Sequence, residues 1–314
     1  MFALTSGAAE SARPAEAGRA PGAAPASGDG AAPASGDGTA PASGDGAAGT
    51  PAPLLQLRGI GKHFGPVQAL SDINLDVPAG QVTALVGDNG AGKTTLIKCI
   101  AGIWEPNGGE MLWNGKQIHL HSPRDASALG IATVYQDLAL CDNLDIVQNM
   151  LLGHEALRYG LLDEIRMEKT AKATLADLAV TTVRSVRQPV GSLSGGQRQA
   201  VAVARAVMQE ARLVIMDEPT AALGVSQTEL VLSLIARLAE RGHGVIVISH
   251  NLTDVFQVAD RFAVLYLGRL VAVGPTAEFD RQSVVDLMTT GATTRQVNGA
   301  GGGTPLRSGA EDGR

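Results

Sequence analysis

The chain has 314 residues, with 31 acidic and 25 basic side chains, a formal net charge of −6, and 45% apolar against 18% charged types. The acidic balance argues against a nucleic-acid partner, whose phosphates would need clustered Lys and Arg. The two cysteines, Cys99 and Cys141, exclude a disulfide-stapled secreted fold and fit a reducing compartment. No run reaches the roughly 20 apolar residues of a membrane-spanning helix: the longest, Phe262–Val273, is interrupted by Gly268 and Arg269. Arg13 and Arg19 have no apolar stretch behind them, so no secretory signal is expected.

Residues 1–52 are rich in Ala, Gly, Pro and Ser, with AAPASGDG at 23–30 and again at 31–38, then TAPASGDG at 39–46. With Leu4 its one branched aliphatic, such a segment cannot offset the entropy of ordering and is expected to be a disordered arm. The Gly-rich stretch 291–314 reads the same way, as a flexible tail. The folded core is then 53–290. Leu54–Leu57, Val82–Val86 and Ile131–Tyr135 read as strands; Thr94–Ala101, Asp163–Ala179 and Gly196–Met208 have helical spacing. Leu213–Met216 and Val245–Ile248 are unbroken aliphatic runs, the pattern of strands covered on both faces. The alternation predicts an α/β core with a largely parallel sheet and, over about 137–195, a mostly helical insert.

Gly87-Asp88-Asn89-Gly90-Ala91-Gly92-Lys93-Thr94 fits the phosphate-loop pattern G-x-x-x-x-G-K-[ST], placed between a strand and a helix as that pattern requires. Its glycines let successive N–H groups face one anion, and the helix N-terminus adds unpaired donors and partial positive charge. Lys93 can reach the terminal phosphates of a nucleotide, the Thr94 hydroxyl can bind Mg2+, and Thr95 is a further donor. The aliphatic strand ending in Asp217-Glu218 supplies a Mg2+ partner, Asp217, and a group to polarise water, Glu218. Val245–Ile248 leads to Ser249-His250, where an imidazole can meet a γ-phosphate and the Glu218 carboxylate. The other five histidines (His63, His119, His121, His154, His243) read as surface or loop residues.

Leu193-Ser194-Gly195-Gly196-Gln197 opens a second helix with two glycines and a hydroxyl, another anion site. A second cradle in a chain with one phosphate loop points to a head-to-tail pair of copies, each completing the other's site.

With these motifs in this order, the sequence resembles the ATP-binding subunits of ABC transporters over about Leu54–Ala277. The resemblance implies a P-loop NTPase core with an N-terminal antiparallel β portion and an inserted α-helical subdomain. It also implies adenine stacking on Phe64, a Mg2+-sensing role for Gln136, contact of Ser194, Gly195, Gly196 and Gln197 with the γ-phosphate across the dimer, and a switch role for His250. Tyr135–Leu144 and Glu218–Val225 are similar to the corresponding segments of ribose-, xylose- and fructose-type importers, in the branch with one cassette per chain. The implied partners are a second copy, integral-membrane permease subunits and, indirectly, a periplasmic or extracellular sugar-binding protein. The implied place is cytoplasmic, on the inner face of the cell membrane. One departure stands out: Gly224 follows Leu223 where the pattern usually has an Asp that couples the two sites. It motivates the alternative of an ATP-dependent regulator without turnover; a soluble ABC-type ATPase not coupled to transport is a further alternative.

Overall fold

A computed structural model describes residues 53–292. The arm expected over 1–52 and the tail beyond 292 lie outside the described residues.

Twelve residues of β1 (Pro53–Phe64) fold back antiparallel on β2 (Val67–Pro78) through Gly65-Pro66. Next come β3 (Val82–Gly87), α1 (Lys93–Ile100), β4 (Gly108–Trp113), β5 (Lys116–Ile118), α2 (Pro123–Ala128) and β6 (Ile131–Val134). The insert holds α3 (Ile146–Leu151), β7 (Leu157–Arg158), β8 (Leu161–Leu162) and α4 (Glu164–Asp177), and α5 (Gly195–Met208) follows it. The chain closes with β9 (Leu213–Asp217), α6 (Val225–Glu240), β10 (Gly244–Ile248), α7 (Leu252–Val258), β11 (Arg261–Tyr266), β12 (Arg269–Pro275) and α8 (Arg281–Thr290).

The strands form two main sheets. One is antiparallel, in the order β2-β1-β4-β5, and supplies the expected N-terminal β portion. The other has the order β12-β11-β3-β10-β9-β6; it is parallel from β11 to β6, with β12 as an antiparallel edge. The aliphatic runs of β9 and β10 divide by parity. Val214, Met216, Val245 and Val247 join the core formed with α3, α4, α5 and α6. Leu213, Ile215, Ile246 and Ile248 face α1 and the antiparallel sheet, packing with Leu96, Ile97, Ile100, Leu55 and Leu57. Both faces are covered, which is why these strands tolerate no polar alternation.

The insert is mostly helical, as expected, with one addition. Tyr159 and Gly160, both at positive φ (53° and 81°), make the two-residue turn of a short β7–β8 hairpin. Helix α4 buries Met167, Ala171 and Leu175, one stripe at i, i+4, i+8. Arg187 binds the insert together through Glu168 (2.9 Å), Glu164 (3.3 Å) and Asp145 (3.4 Å), the last being the N-cap of α3.

Candidate functional site

Parallel strands β3, β10 and β9 are adjacent and in register, with Leu85 opposite Ile248 and Ile248 opposite Asp217. Their C-terminal ends therefore bring the phosphate loop, Ser249-His250 and Asp217-Glu218 to one edge of the sheet, the usual place for a ligand in such folds. A cavity of about 860 Å³ opens there, lined by the loop backbone, Lys93, Thr94, Thr95, Gln136, Asp217, Glu218 and His250. That volume suits a ligand of nucleotide size.

The loop's tight course depends on bare backbone. A side chain at Gly87 would place its Cβ 2.3 Å from the Leu265 carbonyl oxygen, and Gly92, the residue before α1, sits at φ 106°. Lys93 Nζ donates to the carbonyls of Gly87 (2.7 Å) and Asp88 (3.0 Å), so its charge lies across the mouth of the loop. Burial pushes the Lys93 ammonium below its ordinary pKa, and the charges of Glu218, Asp88 and Asp217 oppose that shift.

Glu218 adopts the left-handed region (φ 50°), and its N–H donates to the Ile248 carbonyl (2.9 Å). The carboxylate is thereby aimed at the end of β10, where its Oε2 lies 2.9 Å from His250 Nδ1. Asp217 is half-buried. Desolvation raises its carboxyl above the ordinary range, the Glu218 charge adds to this, and Lys93 and Lys98 oppose it.

Two expected ligand contacts are not among the residues lining this cavity. Ala91 does not line the cavity: it is buried, its N–H donates to the Asp88 carbonyl (3.1 Å) and its carbonyl accepts from Gly268 N–H (2.9 Å). It ties the loop to the β11–β12 turn instead. Phe64 also lies outside the cavity lining. It closes β1 opposite Val67, which does line the cavity, and remains 42% exposed.

None of Ser194, Gly195, Gly196 and Gln197 reaches this cavity. Ser194 caps α5, its Oγ accepting from Gln197 N–H (3.4 Å) while Gln197 Oε1 accepts from Ser194 N–H (3.0 Å). Gln197 Nε2 also donates to the Thr182 carbonyl (2.7 Å). A Cβ on Gly196 would press on the Cβ of Gln227 at 3.0 Å, so the start of α5 lies directly against α6. Gly224, the N-cap of α6, provides no side-chain cap.

The ABC transporter family profile matches residues 70–221. The chain is 45% identical over 244 residues to the fructose import ATP-binding protein FrcA of Rhizobium meliloti, covering 76% of this chain and 94% of that protein. It is 42% identical over 236 residues to the xylose/arabinose import ATP-binding protein XylG of Sulfolobus acidocaldarius, covering 75% and 94%. The chain belongs to the ABC transporter family. Among solved structures it is similar to a dimeric, post-hydrolysis ATP-binding cassette bound to ADP and Pi. The TM-score is 0.59 at 25% identity, over 71% of this chain and 98% of that one.

An ABC ATPase cassette uses a nucleotide, and the donor set beside the loop fits the divalent ion that accompanies one. Asp217, Thr94 and Gln136 present oxygen donors of carboxylate, hydroxyl and carboxamide type to one cavity. Hard oxygen ligands of this kind suit Mg2+, which takes few protein ligands and completes its shell with phosphates and water. Among the described residues no group of three or more His, Cys, Asp or Glu could hold a metal ion.

A second cavity, of about 300 Å³, lies where the segment leaving Gln136 meets α2, β6 and α5, with Leu138, Ala139, Ala202 and Arg205 in its wall. Among the described residues no helix is long and apolar enough to cross a membrane.

Several contributors carry no sequence signal. Val67, Leu267 and Met288 line the cavity beside the phosphate loop from a strand edge, a turn and the last helix, as apolar residues with no motif around them. Asn149 is fully buried in α3 and holds the segment behind Gln136: its Oδ1 accepts from Cys141 N–H (2.8 Å), and its Nδ2 donates to the Cys141 carbonyl (3.0 Å). A lone Asn in an apolar helical pattern was the only hint.

Proposed function

We propose that the chain hydrolyses ATP with Mg2+ to energise import of a monosaccharide through a membrane permease. It would work as two copies on the inner face of the cell membrane, with a sugar-binding protein outside. The observation that carries this reading is the 45% identity to a fructose import ATP-binding protein, along nearly its whole length.

The backbone of Gly87, Asp88, Asn89, Gly90 and Gly92 cradles the phosphates, with Ala91 fixing the loop from behind. Lys93 leaves its carbonyl partners to pair with the terminal phosphates, where its charge is better satisfied. Phe64 stacks on adenine from beside Val67. Thr94, Gln136 and Asp217 hold Mg2+, which supplies charge neutralisation at the phosphoryl oxygens. Glu218 orients the attacking water, and His250, 2.9 Å from it, holds the carboxylate and faces the γ-phosphate. Ser194, Gly195, Gly196 and Gln197 serve a nucleotide held by the other copy. Their separation from this chain's own cavity supports that reading, and closure of the pair would exclude water and complete each site. The cavity beside Leu138 and Ala139 is where the permease would dock, next to Gln136.

The test is co-purification with a permease followed by phosphate release in lipid, with and without a sugar-loaded binding protein. Hydrolysis should rise when the sugar is present. Hydrolysis indifferent to every monosaccharide and to the permease would overturn the transport role and leave an uncoupled ATPase.

A further inference from the structure

Outside the motifs, the end of β1, the last turn of α1 and the loop after it carry four side chains in a row, two rings flanked by a cation at each end. Lys62 Nζ lies 5.2 Å from the Phe64 ring centroid. Phe64 meets Trp104 edge-on, with centroids 4.8 Å apart and planes at 72°. Lys98 Nζ lies 4.5 Å from the Trp104 centroid. Both contacts are of types favourable beyond the area they bury.

The backbone clamps this stack from two sides. The Trp104 and Ile103 amides donate to the Lys98 carbonyl (3.1 and 2.9 Å), fixing Trp104 to the last turn of α1, the helix that begins at Lys93. On the other side, Asn107 N–H donates to the Gly61 carbonyl (2.8 Å), Asn107 Oδ1 accepts from His63 N–H (2.9 Å), and Lys62 Nζ donates to the Glu105 carbonyl (2.7 Å). Phe64 has no hydrogen-bonding group in its side chain and is well exposed, so only packing can hold its ring. Trp104 joins that ring to the phosphate-loop helix.

We propose that Trp104 is a positioning residue for nucleotide binding. It fixes the Phe64 ring relative to α1, so that base and phosphates of one nucleotide are gripped at a set separation. Lys62 lies over the Phe64 ring, and the ring's 42% exposure leaves it surface that a base can cover. The proposal rests on the reading of Phe64 as the base-stacking aromatic.

The experiment compares ATP with inorganic tripolyphosphate, which engages the phosphate loop and has no base, by competition against a fluorescent ATP analogue on the full chain. Phe64→Leu should weaken ATP by about tenfold, a typical loss for one base–aromatic stack, and leave tripolyphosphate unchanged. Trp104→Leu should weaken ATP by about three- to tenfold, again without effect on tripolyphosphate, and Trp104→Phe, which keeps an aromatic edge, should recover most of the loss. In a Trp113→Phe background the emission of Trp104 should shift with ATP and not with tripolyphosphate, reporting that the base reaches the Phe64–Trp104 pair. If Phe64→Leu weakens ATP and Trp104→Leu does not, the positioning role falls. Equal losses for both ligands in Trp104→Leu would also overturn it, by showing general damage. If Phe64→Leu itself leaves ATP binding intact, the base-stacking reading beneath it fails instead.

Discussion

At the residue scale the site is a balance of charges that the fold holds at some cost. Glu218 is aimed by a left-handed backbone and by the strand next to it, and its carboxylate contacts His250. Glu218→Gln keeps the shape and removes the basic oxygen. It is expected to bind ATP, to accumulate as a stable ATP-bound dimer in sedimentation, and to release phosphate at a small fraction of the parent rate. Unimpaired release would remove Glu218 from the chemistry. Asp217 yields a prediction with a sign. Its carboxyl is raised above the ordinary range, first by burial and then by Glu218, so the folded chain holds that proton more tightly than the unfolded one. Ionisation at neutral pH therefore costs folding stability, and the cost is relieved as pH falls through the raised folded value. Asp217→Asn is expected to melt above the parent at pH 7 without nucleotide, and to lose Mg2+-dependent hydrolysis. The gap in melting temperature should close as pH approaches the ordinary carboxylate pKa, followed by circular dichroism; a constant gap would assign the gain to something other than the charge.

At the scale of elements, the connection from Gln136 into the insert hangs on α3. Asn149 makes four side-chain hydrogen bonds there, to Cys141 (two), Leu144 and Asp145. The carbonyls it touches keep other donors: Leu144 N–H for Cys141, Val190 N–H for Leu144 and Asn149 N–H for Asp145. Only Cys141 N–H depends on its Oδ1. Asn149→Leu is thus expected to cost about 1–3 kcal/mol, the penalty of one orphaned buried donor, with faster amide exchange concentrated at 137–145. Uniform acceleration across the sheet would count against so local a role. Asn149 also marks how far the sequence could be read. Strands β9 and β10 were legible because burial on both faces leaves an unbroken aliphatic run, β3 because Thr83 alone interrupts its apolar run, and the chemistry at their ends followed from position. The second strands of the antiparallel pairs, β2, β4 and β12, escaped: each is half-buried and mixes polar with apolar residues, so its identity comes from a partner rather than from its own pattern. Ala91 fell within a motif whose residue types fit. That its carbonyl ties to Gly268 depends on a contact 177 positions away in the chain, which local patterns do not encode.

At the scale of the whole molecule, the question is whether one chain suffices. The phosphate cavity and the Ser194–Gln197 cradle do not meet within a protomer, so two copies arranged head to tail would share two composite sites. Complementation between two inactive chains tests this. Lys93→Ala disables the phosphate loop and leaves the second cradle intact. Ser194→Asp does the reverse: Asp is as good an N-cap as Ser, so α5 keeps its start, while a negative charge now stands where a γ-phosphate should approach. Each variant alone is expected to be nearly inactive. Mixed in equal amounts and allowed to exchange, half the pairs are heterodimers, each with one intact site in two, so phosphate release should recover to about one quarter of the parent value. Gly224 bears on the same measurement, because independent sites give the full quarter and obligatory coupling would hold the yield below it. A mixture no more active than the sum of its separate parts, with exchange verified by cross-linking, would mean that the two cradles do not act on a shared nucleotide.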